Sequence, residues 1–313
     1  MKLMFKGTIR VLFCLIISLT GSQNLIAQQL PLFSEYMFNT LEINPAYAGF
    51  RDALSITTMF RKQYTGFKTA PQSAFFAADM PISGKRVGVG IKLLDDRDEI
   101  TKTLGAQGVY SFKIPTGPYS TISLGLQGGV YNFKTDYTKV DVIDPNDPSF
   151  SQNINSLKLN FGTGVFFNTE TFYVGLSSPN LIRNNFNKEN NTGAFSELKQ
   201  QMHIYFNTGY VFALSDDLHI KPSVLVRGVA GSPISYDINT NFWISDMLGL
   251  GFSYRNKTAM VGIIDLKLVP ELHLGYAYDH SISEYNIISK GSHEVILRYE
   301  FSFNRTALSP RYF

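Results

Sequence analysis

The chain has 313 residues, of which 44% are hydrophobic, 14% aromatic and only 17% charged. About a quarter of the residues of a soluble domain are usually charged, so this composition indicates a chain with a large uncharged surface. No stretch beyond the first thirty residues approaches 18 consecutive apolar residues, which excludes membrane-spanning helices. The formal net charge of +3 gives no indication of a nucleic-acid partner.

The first residues predict a secretory signal peptide. A short basic region precedes the apolar run "VLFCLIISLTG", which is too short to span a membrane as a helix. We expect the signal peptide to cover residues 1–27, with cleavage near Ala27 or Gln28. It contains three basic residues and the only cysteine, Cys14. The mature chain is therefore expected to be neutral and to lack disulfides.

Most of the mature chain alternates apolar and polar residues with a period of two. In "SHEVILRYEFSFN", for example, Glu294, Arg298 and Glu300 share one face and apolar side chains occupy the other. About fourteen such runs occur, each close to the length of a tilted membrane strand. One of them contains Pro222, which predicts a bulge or a late strand start at that point.

The connections between these runs alternate in length. Those after even-numbered runs are tight, as in "SGK", "PTGPY" and "NTET", whereas several after odd-numbered runs are long. This sorting is typical of bacterial outer-membrane barrels. The sequence therefore predicts a transmembrane antiparallel β-barrel of about 14 strands over residues 51–304, with both termini in the periplasm. A soluble β domain is the alternative.

A closed barrel leaves no unpaired strand edge in lipid, and its apolar faces then point outward. Tyr and Phe are expected to form the aromatic girdles at the two membrane interfaces. The polar faces line a lumen that is too wide for side chains alone to fill. The polar residues expected to line it are Arg61, Lys92, Lys158, Lys221, Arg227, Asp237, Arg298 and Glu300.

An aromatic segment, residues 28–50, precedes the first strand. Phe33, Tyr36 and Met37 recur at helical spacing, which predicts a short helix that ends before Pro45. Such a segment can plug the lumen, cover a mouth of the barrel or dock on another protein, and the pattern leaves these roles open. The residues expected to carry them are Phe33, Tyr36, Met37, Phe38, Asn44, Pro45, Tyr47 and Gly49.

No motif indicates catalysis, a metal or a cofactor, and we expect a protein that is not an enzyme and has no small-molecule substrate. The five histidines lack the spacing of a metal pair. The loop around Asp144 and Asp147 could bind calcium, although a solvated, Pro-containing turn is the simpler interpretation. The C-terminal tail, residues 305–313, predicts either a barrel-assembly signal or a periplasmic handle, and its residues of interest are Pro310, Arg311, Tyr312 and Phe313.

Several motifs resemble the PorP/SprF family of Bacteroidota outer-membrane proteins. The opening motif "FSEYMFNTLEINPAYAG" carries the clearest resemblance. The stretches "RKQYTGFKTAPQS", "DPNDPSF", "LNFGTGVFF", "FYVGLSSPNL" and "HEVILRYEF" follow in the family's order, with Tyr64 at a position where the family commonly has Trp. The resemblance covers essentially the whole mature chain.

The resemblance implies an integral outer-membrane protein of the type IX secretion system. Its implied role is to assist export or surface anchoring of a large cell-surface protein, such as a gliding adhesin, through protein–protein contacts. The implied partners are outer-membrane lipid, other secretion components, and an exported surface protein with a C-terminal sorting domain. The polar lumen independently suggests a second hypothesis, a diffusion porin or solute channel.

Overall fold

The structure is a computed structural model that describes residues 31–67, 69–82, 86–137, 153–185, 200–283 and 290–301. The expected signal peptide, the Asp144–Asp147 loop and the C-terminal tail lie outside these residues. In the part of the chain that is described, no helix is long and apolar enough to cross a membrane.

Antiparallel strands make up most of the described chain, and each pairs mainly with its neighbours in sequence. The strands are β1 Leu54–Lys62, β2 Gln72–Ile82, β3 Val87–Arg97, β4 Thr101–Pro115, β5 Thr121–Thr135, β6 Ile154–Asn168, β7 Phe172–Asn180, β8 His203–Tyr210, β9 Phe212–Ser215, β10 Leu218–Val229, β11 Ser235–Ile244, β12 Leu248–Arg255, β13 Ala259–Val269, β14 Leu272–Ser281 and β15 Ser292–Phe301.

The sheet closes on itself where the first strand, β1, pairs with the last, β15. Strands β8 and β9 form one span that is interrupted at Val211, and both pair with β10. The wall therefore has fourteen spans, and the prediction of a closed barrel of about 14 strands is confirmed.

Pro222 lies in β10 opposite the interruption at Val211. Pairing of β10 with β9 reaches Ile220, and pairing with β8 resumes at Ser223. Because proline has no N–H to donate, a break in the neighbouring strand is a position where it costs the barrel little. The predicted late start of this strand is wrong, since β10 begins at Leu218, and the interruption lies in the neighbouring span instead.

The two ends of the barrel differ in their connections. At one end the strands join through tight links such as residues 169–171, 216–217 and 245–247. We call this end the short-turn mouth, and both the start of β1 and the end of β15 lie there, since Leu54 pairs with Phe301. The opposite end, the long-loop mouth, carries the longer connections, including residues 136–153 and 181–202.

Alternation along each strand separates the two faces of the wall. On β6, Leu157, Leu159 and Phe161 point outward, and more than half of each side chain is exposed. On β15, Glu294, Arg298 and Glu300 are buried on the inner face. An apolar outer face is what lipid requires, so the polar groups of the wall are concentrated in the lumen.

Candidate functional site: the occupied lumen

The lumen is filled by the segment Leu32–Phe50, which we call the plug. Its side chains are buried, with Glu42 only partly so. Hydrogen-bonded turns lead into two short 3₁₀ helices, Thr40–Glu42 and Pro45–Tyr47. The expected single helix with one apolar face is therefore wrong. The wall surrounds the segment on all sides, and several of its backbone N–H groups donate to wall carboxylates.

The plug runs the length of the lumen. Ser34 lies near the long-loop mouth, where it contacts Asp279 close to the end of β14. Gly49 lies near the short-turn mouth, where its N–H donates to Asp79. The described chain therefore begins at the long-loop mouth and ends, at Phe301, at the short-turn mouth. The two termini themselves, which are expected in the periplasm, lie outside the described residues, so that expectation stays a prediction.

One wall carboxylate fixes the start of the plug. The N–H groups of Ser34 and Glu35 donate to the two oxygens of Glu294, each over 2.8 Å. Hydrogen bonds to an ionised acceptor are about twice as strong as neutral ones. Glu294 therefore binds the backbone of the plug and does not depend on the plug's side chains at this point.

Five charged wall residues surround Ser34, and we call them the mouth cluster: Arg61, Asp237, Arg255, Asp279 and Glu294. Arg61 lies 2.7 Å from Asp279 and 2.9 Å from Glu294. Arg255 lies 3.0 Å from Asp237 and 3.4 Å from Asp279. Because buried charges cost free energy unless they are paired, these ion pairs are a condition for the cluster to exist inside the lumen. Its three carboxylates outnumber its two arginines by one.

Ser34 is part of this network and does not merely fill space. Its hydroxyl donates to Asp279 over 2.8 Å and accepts from Arg61 over 2.9 Å. Arg61 and Glu294 are also opposite each other in the register of β1 and β15. The plug thus contacts the wall at the seam where the barrel closes.

Glu35 is an isolated acid next to this network. It is fully buried, and neither carboxyl oxygen has a hydrogen-bond partner among the described residues. Burial, followed by the nearby carboxylates of Glu294, Asp265 and Asp279, raises the pKa of Glu35 well above its usual value. Glu35 is therefore held in a site that favours its neutral form.

The middle of the plug is bound through its carbonyl groups. Arg298 donates to the carbonyl of Phe38 over 3.1 Å, and Arg51 lies 2.7 Å from Glu300 beside it. On β3, three strands away from β15, Lys92 donates to Gln127 over 2.7 Å. The amine of Lys92 also lies 3.4 and 3.3 Å from the carbonyl oxygens of Leu41 and Glu42.

Near the short-turn mouth, neutral groups make most of the contacts. The amide of Asn44 donates to the Val165 carbonyl over 3.1 Å, while its oxygen accepts from the N–H of Ala46 over 2.9 Å. Ser111 donates to the carbonyl of Ala48 over 2.6 Å. These bonds satisfy backbone groups that the short 3₁₀ helices leave free.

Glycines on the inner wall make space for this part of the plug. A Cβ atom at Gly88 would lie 1.9 Å from the Ala48 carbonyl oxygen, and one at Gly125 would lie 2.0 Å from the Ala46 nitrogen. Both distances are far below van der Waals contact. Gly88 of β3 and Gly125 of β5 are therefore explained by the close approach of the plug backbone.

Aromatic rings complete the packing at this end. Tyr47 and Phe50 are stacked with their centroids 4.6 Å apart, and Phe166 of β6 meets both of them edge-on at 5.6 Å. Edge-to-face contacts of this kind add to the stabilisation from burial. Toward the long-loop mouth, Phe33 lies 6.0 Å from Phe75. Phe38 lies 5.8 Å from Trp243, which is close to the short-turn end of β11.

The eight residues selected in the aromatic segment all lie in the plug and are buried. The polar residues selected in the strands all belong to the inner face. Arg61 and Asp237 belong to the mouth cluster, Arg298 and Glu300 lie together with 3.0 Å between Nε and Oε1, and Lys92 contacts the plug. The ammonium group of Lys221 lies 5.9 Å from the centroid of the Phe38 ring in the plug. Lys158 and Arg227 lie on the same inner face and are partly buried.

Sequence reasoning did not select the partners of these residues. Asp279, Glu294 and Arg255 complete the mouth cluster, and Arg51 completes the group around Glu300. Period-two alternation places Asp279 and Glu294 on polar faces, so the sequence did indicate that both residues face the lumen. Nothing in the pattern indicates that Glu35, in the plug, would be buried without a partner.

The described residues contain no group of three or more His, Cys, Asp or Glu that could hold a metal ion. The acidic residues of the mouth cluster instead face arginines. The chemistry that this arrangement supports is retention of a polypeptide segment inside a barrel.

Solved structures that resemble this chain at low sequence identity include a channel, a FadL homologue and a porin. A "CymD monoaromatic hydrocarbon channel" has 9% identity and a TM-score of 0.48, covering 90% of this chain and 96% of that one. A Pseudomonas aeruginosa FadL homologue has 12% identity and a TM-score of 0.47, covering 88% and 95%. A "KdgM porin" has 11% identity and a TM-score of 0.39, covering 79% and 99%. No curated protein sequence matches this chain.

The family comparison is more specific. The profile described as "Type IX secretion system membrane protein PorP/SprF" matches residues 25–299, which include the plug and nearly all of the barrel. The resemblance noted in the motifs is thereby confirmed, and an outer-membrane location follows from the family and the barrel together. The chain belongs to the PorP/SprF family of type IX secretion system membrane proteins.

Proposed function

We propose that this protein is a closed, non-enzymatic platform of the type IX secretion system that holds a large exported surface protein at the outer membrane. The observation that carries the proposal is the plug, which is bonded to the wall from Ser34 to Gly49. A lumen occupied along its length favours binding at the two mouths over free passage of solutes.

The orientation follows from the general rule that outer-membrane barrels place short turns in the periplasm and long loops outside. The short-turn mouth then faces the periplasmic secretion components. The long-loop mouth, where the described plug begins, faces the exported protein. A surface protein with a C-terminal sorting domain, such as a gliding adhesin, is the partner that we propose.

Deleting the gene tests this function directly. We expect the deletion strain to lose one or more large proteins from its surface proteome, and the tagged barrel to co-purify with them in mild detergent. An unchanged surface proteome, together with recovery of the barrel alone, would contradict the proposal. Restoring the wild-type gene is the control for secondary effects of the deletion.

A diffusion channel is the alternative that the charged lumen favours. Purified full-length protein in a planar bilayer is expected to be electrically silent, because the plug blocks the path. A variant lacking residues 32–49 is expected to conduct, since the wall that remains is lined with polar groups. Steady conductance by the full-length protein would support the channel and count against a closed platform.

A further inference from the structure

A cavity of about 490 Å³ opens at the long-loop mouth, directly above the mouth cluster. We call it the vestibule. Its floor includes Pro31 and Leu32 at the start of the described chain, and its sides are the ends of β1, β10, β11 and β12. Ligand pockets commonly measure roughly 300–1,000 Å³, so the vestibule is large enough to hold a short stretch of polypeptide.

The lining of the vestibule is rich in hydrogen-bond donors. Four basic side chains border it, together with several hydroxyl groups, whereas Asp279 is the one carboxylate among the lining residues described. Asp279 already accepts from Arg61, Arg255 and Ser34. All three bonds go to Oδ2, while Oδ1 of Asp279 is buried and has no hydrogen-bond partner among the described residues. An incoming ligand therefore meets mainly donor groups at the surface of the cavity.

The four basic residues differ in their partners. Arg61 and Arg255 are paired within the mouth cluster, at 2.7 to 3.4 Å from its carboxylates. Arg227 and Lys257 form no ion pair with any carboxylate in the described part of the chain, and Lys257 is exposed. With these two residues, four cations lie at the vestibule and its floor against the three carboxylates of the mouth cluster, which leaves an excess of one positive charge among the described residues.

We propose that the vestibule binds an acidic peptide segment of the exported surface protein, with Arg227 and Lys257 as the residues that contact its carboxylates. Guanidinium and ammonium groups suit this ligand, since charge-assisted hydrogen bonds to carboxylates are among the strong polar contacts. The neighbouring hydroxyls of Ser232, Ser235 and Thr258 supply further polar contacts. This site rests on the proposed function, and it specifies that the segment of the partner that binds here is acidic.

The position of the vestibule favours a peptide over a lipid headgroup. The cavity lies inside the ring of strand ends, above the plug, and not on the outward face that contacts lipid. A lipid anchored in the outer leaflet would have to carry its headgroup over the rim of the barrel. A peptide arriving from outside the cell meets the opening directly.

The test uses the purified full-length protein in detergent and a tetra-glutamate peptide with a neutral fluorophore. We expect saturable binding to the wild type by fluorescence anisotropy, and at least tenfold weaker binding to the double variant Arg227→Glu/Lys257→Glu. Lys290→Glu is the matched control, because Lys290 is an exposed cation at the same mouth that does not line the vestibule. We expect it to bind like the wild type.

Two results would overturn the site: no peptide binding to the wild type, or equal binding to the wild type and the double variant. Displacement of the peptide by lipopolysaccharide, but not by unlabelled tetra-glutamate, would assign the vestibule to a lipid and reject the peptide. The double variant must unfold at the same temperature as the wild type, so that a loss of binding cannot be attributed to misfolding.

An experiment in cells separates this inference from the proposed function. If deletion of the gene removes a surface protein while the double variant retains it, the function stands and the vestibule is rejected. If both strains lose the protein and Lys290→Glu retains it, the vestibule is supported. If deletion changes nothing on the surface while tetra-glutamate still binds, the platform function fails and the acidic-ligand site stands.

Discussion

The first part of the plug, Leu32–Phe38, and the last part, Asn44–Phe50, are bound to the same wall by different means. The first part meets charged side chains, as where Glu294 accepts two N–H groups. The last part approaches the wall so closely that a Cβ atom at Gly88 or Gly125 would collide with its backbone. One contact depends on charge and the other on shape.

This difference teaches how each half can respond to its surroundings. Charged contacts change with pH and with the approach of other charges, whereas close packing tolerates such changes and does not tolerate added volume. The charge-dependent half lies at the long-loop mouth, beneath the vestibule. The shape-dependent half lies at the short-turn mouth, where the chain continues into β1.

The largest effect is expected from breaking the mouth cluster with Arg61→Met. This change leaves Asp279 and Glu294 without their closest cation, and breaking a buried pair on one side typically costs about 3–5 kcal/mol. We expect urea unfolding in detergent to show a loss of that size. Arg97→Met is the control, because its pair with Asp95 is exposed and should contribute less than about 1 kcal/mol. Equal losses of unfolding free energy in the two variants would show that the buried mouth cluster contributes no more to stability than an exposed ion pair.

A somewhat smaller effect is expected at the other end from Gly88→Ala. The added methyl group collides with the Ala48 carbonyl, and overpacking typically costs about 1–3 kcal/mol. The free energy of unfolding should fall by that amount, and the plug should become more accessible to protease. Gly262→Ala, where nothing lies within 4 Å of the new Cβ, should have almost no effect. A tolerated Gly88→Ala would contradict the close approach.

Asn44→Ala removes side-chain hydrogen bonds without adding volume. The change leaves the N–H of Ala46 and the carbonyl of Val165 without the amide that contacts them. We expect a loss of about 1–3 kcal/mol in the free energy of unfolding, the usual cost of unsatisfied buried groups. Asn153→Ala, at an exposed position, is the control, and a difference within error between the two would exclude a structural role for Asn44.

The smallest effect, and the only one that depends on pH, is expected from Glu35→Gln. Because the pKa of Glu35 is raised in the folded protein by burial and by Glu294, Asp265 and Asp279, with Arg298 opposing them, ionisation destabilises the fold. Below the unfolded pKa of about 4.3 the acid is neutral in both states. As pH rises above that value, the wild type should lose stability that the variant keeps.

Thermal unfolding measured between pH 4 and pH 8 checks this expectation. The two proteins should unfold at similar temperatures at pH 4, and the variant should be the more stable at pH 8. A constant difference across this range would mean that Glu35 ionises freely in the lumen. A variant that is less stable at pH 8 would mean that the carboxylate has a favourable partner.

Much of the barrel could be predicted from sequence because the patterns that indicate its strands and connections each lie within a short stretch of chain. A period of two reports which face of a strand meets lipid, and the length of a connection reports the end of the barrel at which it lies. Arg61, Asp237 and Arg298 could be placed in the lumen on that basis alone. The interruption beside Pro222 also has a local cause, since proline lacks an N–H.

The contacts of the plug could not be predicted in the same way. Ser34 and Asp279 are 245 positions apart, and their meeting depends on how the first segment threads a barrel that closes only with the last strand. The helical spacing of Phe33, Tyr36 and Met37 led to a wrong expectation, because a segment enclosed by wall on every side needs no single apolar face. The sequence does not distinguish glycines such as Gly88 of β3 and Gly125 of β5 from other strand glycines, because their reason is a contact with the distant plug.

The position of Glu294 has a consequence for how the molecule is built. This residue sits on the last strand, opposite Arg61 on the first, and it also holds the backbone of Ser34 and Glu35. The carboxylate that helps to join the first strand to the last is thus the one that grips the incoming segment. Filling the interior and closing the cylinder therefore depend on the same side chain, and each stabilises the other.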